Sequence, residues 1–441
     1  MCSPKGIWVV TTDGRAGNSI QVESINAIPD AAFSTKMKWS ESSFQLVAAL
    51  WRRKHKVLVL LFCFVFVIGV RQLDFNQEDK VIETEEKLMP FNDIEEEEAG
   101  PSALKTILYW NSFFAFKDFN FGFGQQPFLD AKCPTATCFL TNDRTLFNQS
   151  DVVIFSVQQM NLTDLPPYRF AHQRFVFYEM ESPATTDPLP LLYNRTRYGF
   201  FNWTMTYRLD SDIVNRDAYG LVVPIPNSTA SSVYPKSRPA GSAPTPHRRN
   251  YAPVNIFGKK KLAAWFVSNC VTSGRREDYV KELIQYIPVD IYGKCGNLSC
   301  ADQTRGREMV RDHYKFYIGF ENSLCTDYVT EKLMVGLLYD AVPIVKGGVD
   351  YTEFAPPHSF IDVNDFTSPK QLADYLLLLD KADSLYARYF DWRRDFTVEL
   401  YQKRGWCRLC QLANDDRLPP RVYDDILKWW VDDPVNCNLP S

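Results

Sequence analysis

Glu331 and Lys332 follow Asp327-Tyr328-Val329-Thr330 and precede an apolar run in which Leu333, Leu337 and Leu338 recur at helical spacing. The pair therefore falls in a helix's first turn, in a helix expected to open near Tyr328 with Thr326 and Asp327 as N-cap candidates. Free N–H groups and the helix dipole favour an anion there, and a lysine beside them suits a phosphate-bearing ligand. The same pair is equally compatible with a solvated helix surface. Arg275 lies in the polar turn Ser268–Arg276 after an apolar strand, where its planar fork suits two phosphate oxygens; Arg276 is one position away. Glu181 follows the aromatic strand Arg174–Met180, and Pro183 ends the pairing, so its carboxylate belongs at a strand's C-terminal end facing a cleft. It reads as a general base or as a surface cap. Glu179 alternates to the strand's other face.

The elements that must position these groups alternate between strand and helix. Tyr314–Phe320 reads as a buried strand, ending in Glu321-Asn322-Ser323, and Val342–Val345 as the next strand, closed by Gly347 and Gly348. Together with the helix between them they form a βαβ unit with polar groups at its switch region. Tyr314 and Phe320 belong to the core. Further strands are expected at Thr106–Trp110, Val152–Val157, Arg174–Met180, Leu262–Val267, Val289–Tyr292 and Ser359–Val363. Helices are expected near Asp278–Tyr286, Pro369–Leu379 and Leu385–Phe396. Two α/β regions thus flank a Ser/Pro-rich linker, which argues for two doubly wound domains facing a cleft.

The stretch Tyr314–Gly348 closely resembles the donor-binding motif of the α-1,3-fucosyltransferases. Phe320–Ser323 matches that family's strand end, Asp327–Lys332 its helix opening and Val342–Val345 its following strand. The resemblance runs from about Leu104 to Cys410. It implies a two-domain GT-B fold, here expected to follow an N-terminal anchor read from the apolar run described below. It also implies an inverting transfer of L-fucose from GDP-fucose, in α-1,3 linkage, to a GlcNAc of a glycoprotein N-glycan, core or antennary. Such a transfer needs a base for the acceptor hydroxyl, positive charge for the departing diphosphate and polar contacts for the nucleotide. Glu181, in Glu-Ser-Pro after an aromatic strand, matches the family's base. Arg275, spaced after Ser268-Asn269, matches the arginine used for donor phosphates, with Lys332 beside it. Asn322, Tyr328 and Glu331 carry over as donor contacts, Glu331 to the ribose hydroxyls and Tyr328 at the sugar diphosphate. No cofactor is required by such a mechanism, and a divalent cation could only stimulate it. Asp210-Ser211-Asp212 is the one metal-like motif, but in the resemblance it belongs to the acceptor side, where Arg208 and Asp210 could order the cleft. Asn120–Gly124 lacks the Lys-Ser/Thr of a P-loop. An inactive glycan-binding homologue, or a transferase for another nucleotide sugar, would keep the same fold.

Over 441 residues the net charge is −4, which offers no basic field for nucleic acid. Val57–Val70 is apolar and follows a basic cluster, and no Ala-x-Ala site comes after it, so a retained anchor is expected rather than a removed signal. The expected layout is a cytosolic segment 1–56, an anchor 57–75, an acidic stem 76–103, an acceptor-side domain 104–227, a linker 228–255, a donor-binding domain 256–400 and a cysteine-containing tail 401–441. That is a single-pass type II membrane protein with its catalytic region in the lumen, which the family resemblance implies is that of the Golgi. Six sequons agree with that compartment, at Asn148, Asn161, Asn194, Asn202, Asn227 and Asn297. So do nine cysteines after the anchor, among them Cys133, Cys138, Cys295, Cys300, Cys407 and Cys410, read as disulfides of open connectivity with one thiol left over.

Overall fold

Val152–Ser156 and Arg174–Glu179 are nearly all apolar or aromatic, and they become the middle of an all-parallel sheet because both faces are covered. In the computed structural model, which describes residues 3–4, 104–186, 188–225, 254–300, 302–432 and 437, this sheet has six strands. Their order is Cys138–Thr141, Lys105–Tyr109, Val152–Ser156, Arg174–Glu179, Trp203–Thr206 and Ile213–Val214. Glu181 therefore sits just beyond the C-terminal end of a central strand.

The second sheet has seven strands, ordered Ser3–Pro4, Leu298–Ser299, Val289–Tyr292, Lys261–Phe266, Tyr314–Phe320, Val342–Lys346 and Ile361–Asp362. Only Ser3–Pro4 is antiparallel to its neighbour. Every residue of Tyr314–Phe320 is buried, including Tyr314 and Phe320. Gly319 lies in this strand because a Cβ there would press 3.1 Å from the Lys332 carbonyl oxygen, so its absence lets the helix approach the sheet. The anchor 57–75, the stem and most of the linker lie outside the described residues. Two alternating, mainly parallel α/β layers are what the sequence led one to expect.

The C-terminal residues depart from that expectation. Leu385–Phe396 is not one helix: Asp383–Ala387 is α-helical, Arg388–Arg394 is 3-10, and Phe396–Glu399 is a strand. That strand pairs antiparallel with Leu221–Pro224, joining the two halves of the chain. The residues after it are not a free tail. The helix Arg404–Ala413 returns to the first sheet, where Trp406 stacks on Phe121 at 4.8 Å and on Tyr178 at 5.8 Å and meets Tyr109 edge-on. Cys407 and Cys410 bridge Cys133 and Cys138 across 274 and 272 residues. Cys295 pairs with Cys270, Cys325 with Cys437, and Cys300 is disulfide-bonded as well. The leftover thiol expected after the anchor is thus absent. The bridges also join distant segments rather than the neighbours in sequence.

Among the sequons, Asn148, Asn161, Asn194 and Asn297 are exposed, and Asn227 lies outside the described residues. Asn202 is a correction. It is 2% exposed, its Oδ1 accepts from Phe175 N at 2.8 Å, and its Nδ2 donates to the Arg421 carbonyl oxygen at 2.8 Å. The nitrogen that would carry a glycan is committed inside the fold.

Candidate functional site

The loop after Phe320 and the loop after Glu179 meet. Ser182 Oγ donates to Ser323 Oγ at 2.7 Å, and Ser323 Oγ lies 3.1 Å from Ser273 Oγ, all three near strand ends. Asp327, at φ 61°, accepts from Leu209 N at 3.0 Å, which fixes the second loop against the first half of the chain. That loop delays the helix, which begins at Glu331 with Thr330 as its N-cap rather than near Tyr328. Glu331 and Lys332 still occupy the first turn.

Glu181 is half-buried and its Oε2 accepts from the Tyr328 hydroxyl at 3.0 Å. Beneath it, Glu179 is fully buried. Its Oε1 accepts from the N–H of Met180 (2.9 Å) and of Glu181 (2.8 Å), and its Oε2 accepts from Gln158 N at 3.0 Å. Burial pushes the Glu179 carboxyl up to about 8, against the pull of those three N–H groups. So the two glutamates divide the work: Glu179 braces the turn, and Glu181 projects from it.

Lys332 is tied down by Thr330 Oγ1 (2.7 Å), Glu321 Oε2 (3.1 Å) and Glu331 Oε1 (3.6 Å). Burial disfavours its charge, but Glu321 and Glu331 more than offset that and hold the ammonium above its ordinary range. Burial likewise pushes Glu321 up while Lys332 pulls it down. Thr330 N, Thr330 Oγ1 and Lys332 Nζ all point at Glu321, so the ionised carboxylate is the form these contacts fit. Glu331 keeps its side chain 37% exposed, and the pull of Lys332 overcomes burial to lower its carboxyl below the ordinary value.

Arg275 and Arg276 face opposite ways. Arg275, at φ 47°, precedes the helix Arg276–Leu283; it is exposed and donates to Asp278 at 2.8 Å. Arg276 is 5% exposed and donates to the Phe320 carbonyl oxygen at 2.8 Å. Arg276 thus secures the strand end, and an outside anion can reach Arg275. Asn322 uses its carbonyl oxygen on Gly274 N at 2.9 Å, while its buried Oδ1 has no partner among the described residues.

Tyr328 is 1% exposed and packs edge-on against Tyr207 with ring centroids 4.9 Å apart. Its ring is not open to a sugar diphosphate as the sequence suggested. The Asp-Ser-Asp motif is spoken for. Asp210 pairs with Arg208 at 2.6 Å and accepts from Trp429 Nε1, and Asp212 pairs with Arg421 and accepts from Tyr423 OH at 2.9 Å. Sequence reasoning overlooked Glu321 and Thr330. Their signal was an acidic residue directly after a mostly apolar, fully buried strand, which only a buried partner can tolerate.

Comparison with known proteins identifies the family of the chain. Residues 102–220 match the fucosyltransferase N-terminal family, and residues 256–429 match the C-terminal region of glycosyltransferase family 10 (fucosyltransferase). The chain is 37% identical over 356 residues to alpha-(1,3)-fucosyltransferase C of Drosophila melanogaster, covering 76% of this chain and 79% of the relative. It is 38% identical over 343 residues to glycoprotein 3-alpha-L-fucosyltransferase A of the same fly, covering 76% and 62%. A Bos taurus 3-galactosyl-N-acetylglucosaminide 4-alpha-L-fucosyltransferase is 38% identical over 323 residues, covering 69% and 79%. A solved alpha1,3-fucosyltransferase with GDP-fucose aligns at TM-score 0.45 and 18% identity, over 76% of this chain and 96% of that one. The chain belongs to glycosyltransferase family 10, the fucosyltransferases.

Proposed function

We propose that this protein is an inverting α-1,3-fucosyltransferase of GT-B architecture that moves L-fucose from GDP-fucose to a GlcNAc of a glycoprotein N-glycan. One observation carries the reading: Glu181, at the end of a central strand of one sheet, is brought to Tyr328, in the loop that leads into Glu331-Lys332 of the other. Base and donor groups are thereby joined at one cleft.

Glu181 takes the proton of an acceptor hydroxyl as that oxygen bonds to the anomeric carbon of fucose. The bond from that carbon to the phosphate oxygen breaks on the opposite face, and GDP departs with the electron pair. Arg275 supplies positive charge to the diphosphate; its contact with Asp278 is an exposed pair, of which both side chains are more than half exposed, and such pairs yield readily. Lys332 adds to it, although Glu321 and Glu331 already compensate its charge. Glu331 offers acceptors to the ribose, and Asn322, whose Oδ1 is buried, keeps its amide NH2 for the nucleotide. No step calls on a metal, so transfer should persist in EDTA, with a lowered rate only where a divalent cation stimulates it.

The test is transfer by the full chain from GDP-fucose to a panel of N-glycan core and antennary GlcNAc acceptors. Glu181→Gln should lower kcat by roughly 100-fold or more with GDP affinity unchanged. Wild-type turnover in that variant would remove Glu181 from the role.

We also propose that catalysis occurs in the Golgi lumen, the compartment that the disulfides and exposed sequons support. A single crossing at 57–75 is incompatible with the pairing of Ser3–Pro4 on the second sheet, because it would place residues 1–56 across the membrane. Protease protection of an N-terminal tag in sealed vesicles separates the two. A tag digested from the cytosolic side upholds the crossing, and a tag protected with the catalytic region excludes it.

A further inference from the structure

We propose that Lys346 is a further contact to the diphosphate of the nucleotide-sugar donor, brought beside Arg275 from the end of a different strand. This rests on the donor reading of Arg275, Asn322 and Lys332 given above.

The sheet sets its position. Glu321 N donates to the Lys346 carbonyl oxygen at 2.9 Å, so Lys346 closes the strand Val342–Lys346 level with the end of Tyr314–Phe320. Side chains two apart on a strand share a face, and Ile344 packs in the core with Val280 and Leu283 of the helix Arg276–Leu283. Lys346 therefore emerges on that helix's side of the sheet, and its Nζ donates to the Gly274 carbonyl oxygen at 3.0 Å. Gly274 directly precedes Arg275, and its own N–H is bonded to the Asn322 carbonyl oxygen. The ammonium thus lies among the donor groups, at the helix end whose dipole favours an anion.

Charge separates Lys346 from its neighbours. Lys332 already has Glu321 and Glu331, and Arg275 has Asp278. Arg276 is buried, with its N–H groups on the Phe320 and Asn269 carbonyl oxygens. Lys346 is half-buried, and among the described residues no carboxylate comes within ion-pair distance of it. Glu277 acts on it from farther off and gives its own oxygens to Thr272 N and Thr272 Oγ1, both at 2.8 Å. Burial accordingly holds the ammonium below its ordinary range. Of its three donors, Gly274 takes one. A partly buried cation without a counter-ion is costly, and a bound diphosphate is the anion that offsets it. The same cation meets the negative charge that grows on GDP as its bond to fucose breaks.

The test measures GDP affinity by calorimetry and guanosine affinity by competition for the full chain, Lys346→Gln, Lys346→Arg, Arg275→Gln and the double variant Lys346→Gln/Arg275→Gln. Glutamine keeps a donor for Gly274 and removes the charge. Lys346→Gln should weaken GDP binding roughly 10- to 100-fold, the loss expected for hydrogen bonds to a charged group, with guanosine affinity unchanged. Lys346→Arg should recover most of the GDP affinity. The loss should persist in the Arg275→Gln background, as it does for an independent contact. Unchanged GDP affinity in Lys346→Gln would overturn the proposal. Equal losses for GDP and guanosine would overturn it by making Lys346 a brace of the fold, and a loss that vanishes in the Arg275→Gln background would overturn it by making Lys346 a brace of Arg275. Failure of the donor reading shows separately, as a wild-type chain that binds GDP no more tightly than guanosine.

Discussion

Glu179 and Glu181 stand two residues apart on the same stretch of chain and have different fates. Glu179 is sealed in, and burial raises its carboxyl to about 8 from an ordinary 4.5. The sign of the resulting pH dependence follows. Between those values the folded state holds a proton that the unfolded chain has released, so stability falls as pH climbs through the window and levels off above it. Thermal midpoints measured from pH 5 to about 8.5 should therefore decline, and Glu179→Gln, which cannot ionise, should flatten that decline. An equal slope in the variant would assign the pH dependence to other groups. Alternation alone does not separate the two glutamates as expected, because residues two apart on a strand share a face; the strand ends at Glu179, and Glu181 lies in the turn beyond it. What it could not reveal was the cradle of three N–H groups around Glu179, because Gln158 comes from a neighbouring strand's end, 21 residues earlier.

The helix Glu331–Leu338 was legible from its apolar spacing, but its start was misjudged by three residues. Thr326 and Asp327 are good caps in isolation. Tertiary contacts overrode them: Asp327 spends its carboxylate on Leu209, and Tyr328 turns to Glu181. The true first turn is organised by Glu321, whose carboxylate accepts from both the N–H and the hydroxyl of Thr330. Thr330 Oγ1 also accepts from Lys332 Nζ at 2.7 Å, so one buried hydroxyl serves both ions. Thr330→Val removes that hydroxyl with little change of shape. It should cost about 1–3 kcal/mol in urea unfolding, because two buried charged groups each lose a partner. The variant should also weaken GDP binding, since Lys332 loses its restraint. A stability within error of wild type would show that water replaces the hydroxyl.

For the whole molecule, the two α/β layers could be read from the strand pattern, since parallel strands buried on both faces leave long apolar runs. The association of the last residues with the first sheet could not. Nothing local in Phe396–Glu399 says that it pairs with Leu221–Pro224, and cysteine spacing carries no connectivity. Cys133–Cys407 and Cys138–Cys410 close very long loops. Replacing Cys133 and Cys407 together by serine should lower stability by about 2–5 kcal/mol. Peptide mapping without reductant should recover the 133–407 and 138–410 pairs, and a 133–138 or 407–410 pair would refute this arrangement.

Those two bridges also set a schedule for biosynthesis. Cys133 and Cys138 leave the ribosome more than 270 residues before their partners exist. At about 5–20 residues per second, that is a wait of roughly 14–55 s in which the nascent first sheet lacks the helix carrying Trp406. In an oxidising compartment the two waiting thiols, only five residues apart in sequence, are each other's nearest reaction partner. A transient wrong bridge is the natural early product, and an exchange catalyst that reopens it becomes as necessary to this enzyme's maturation as any residue in its cleft.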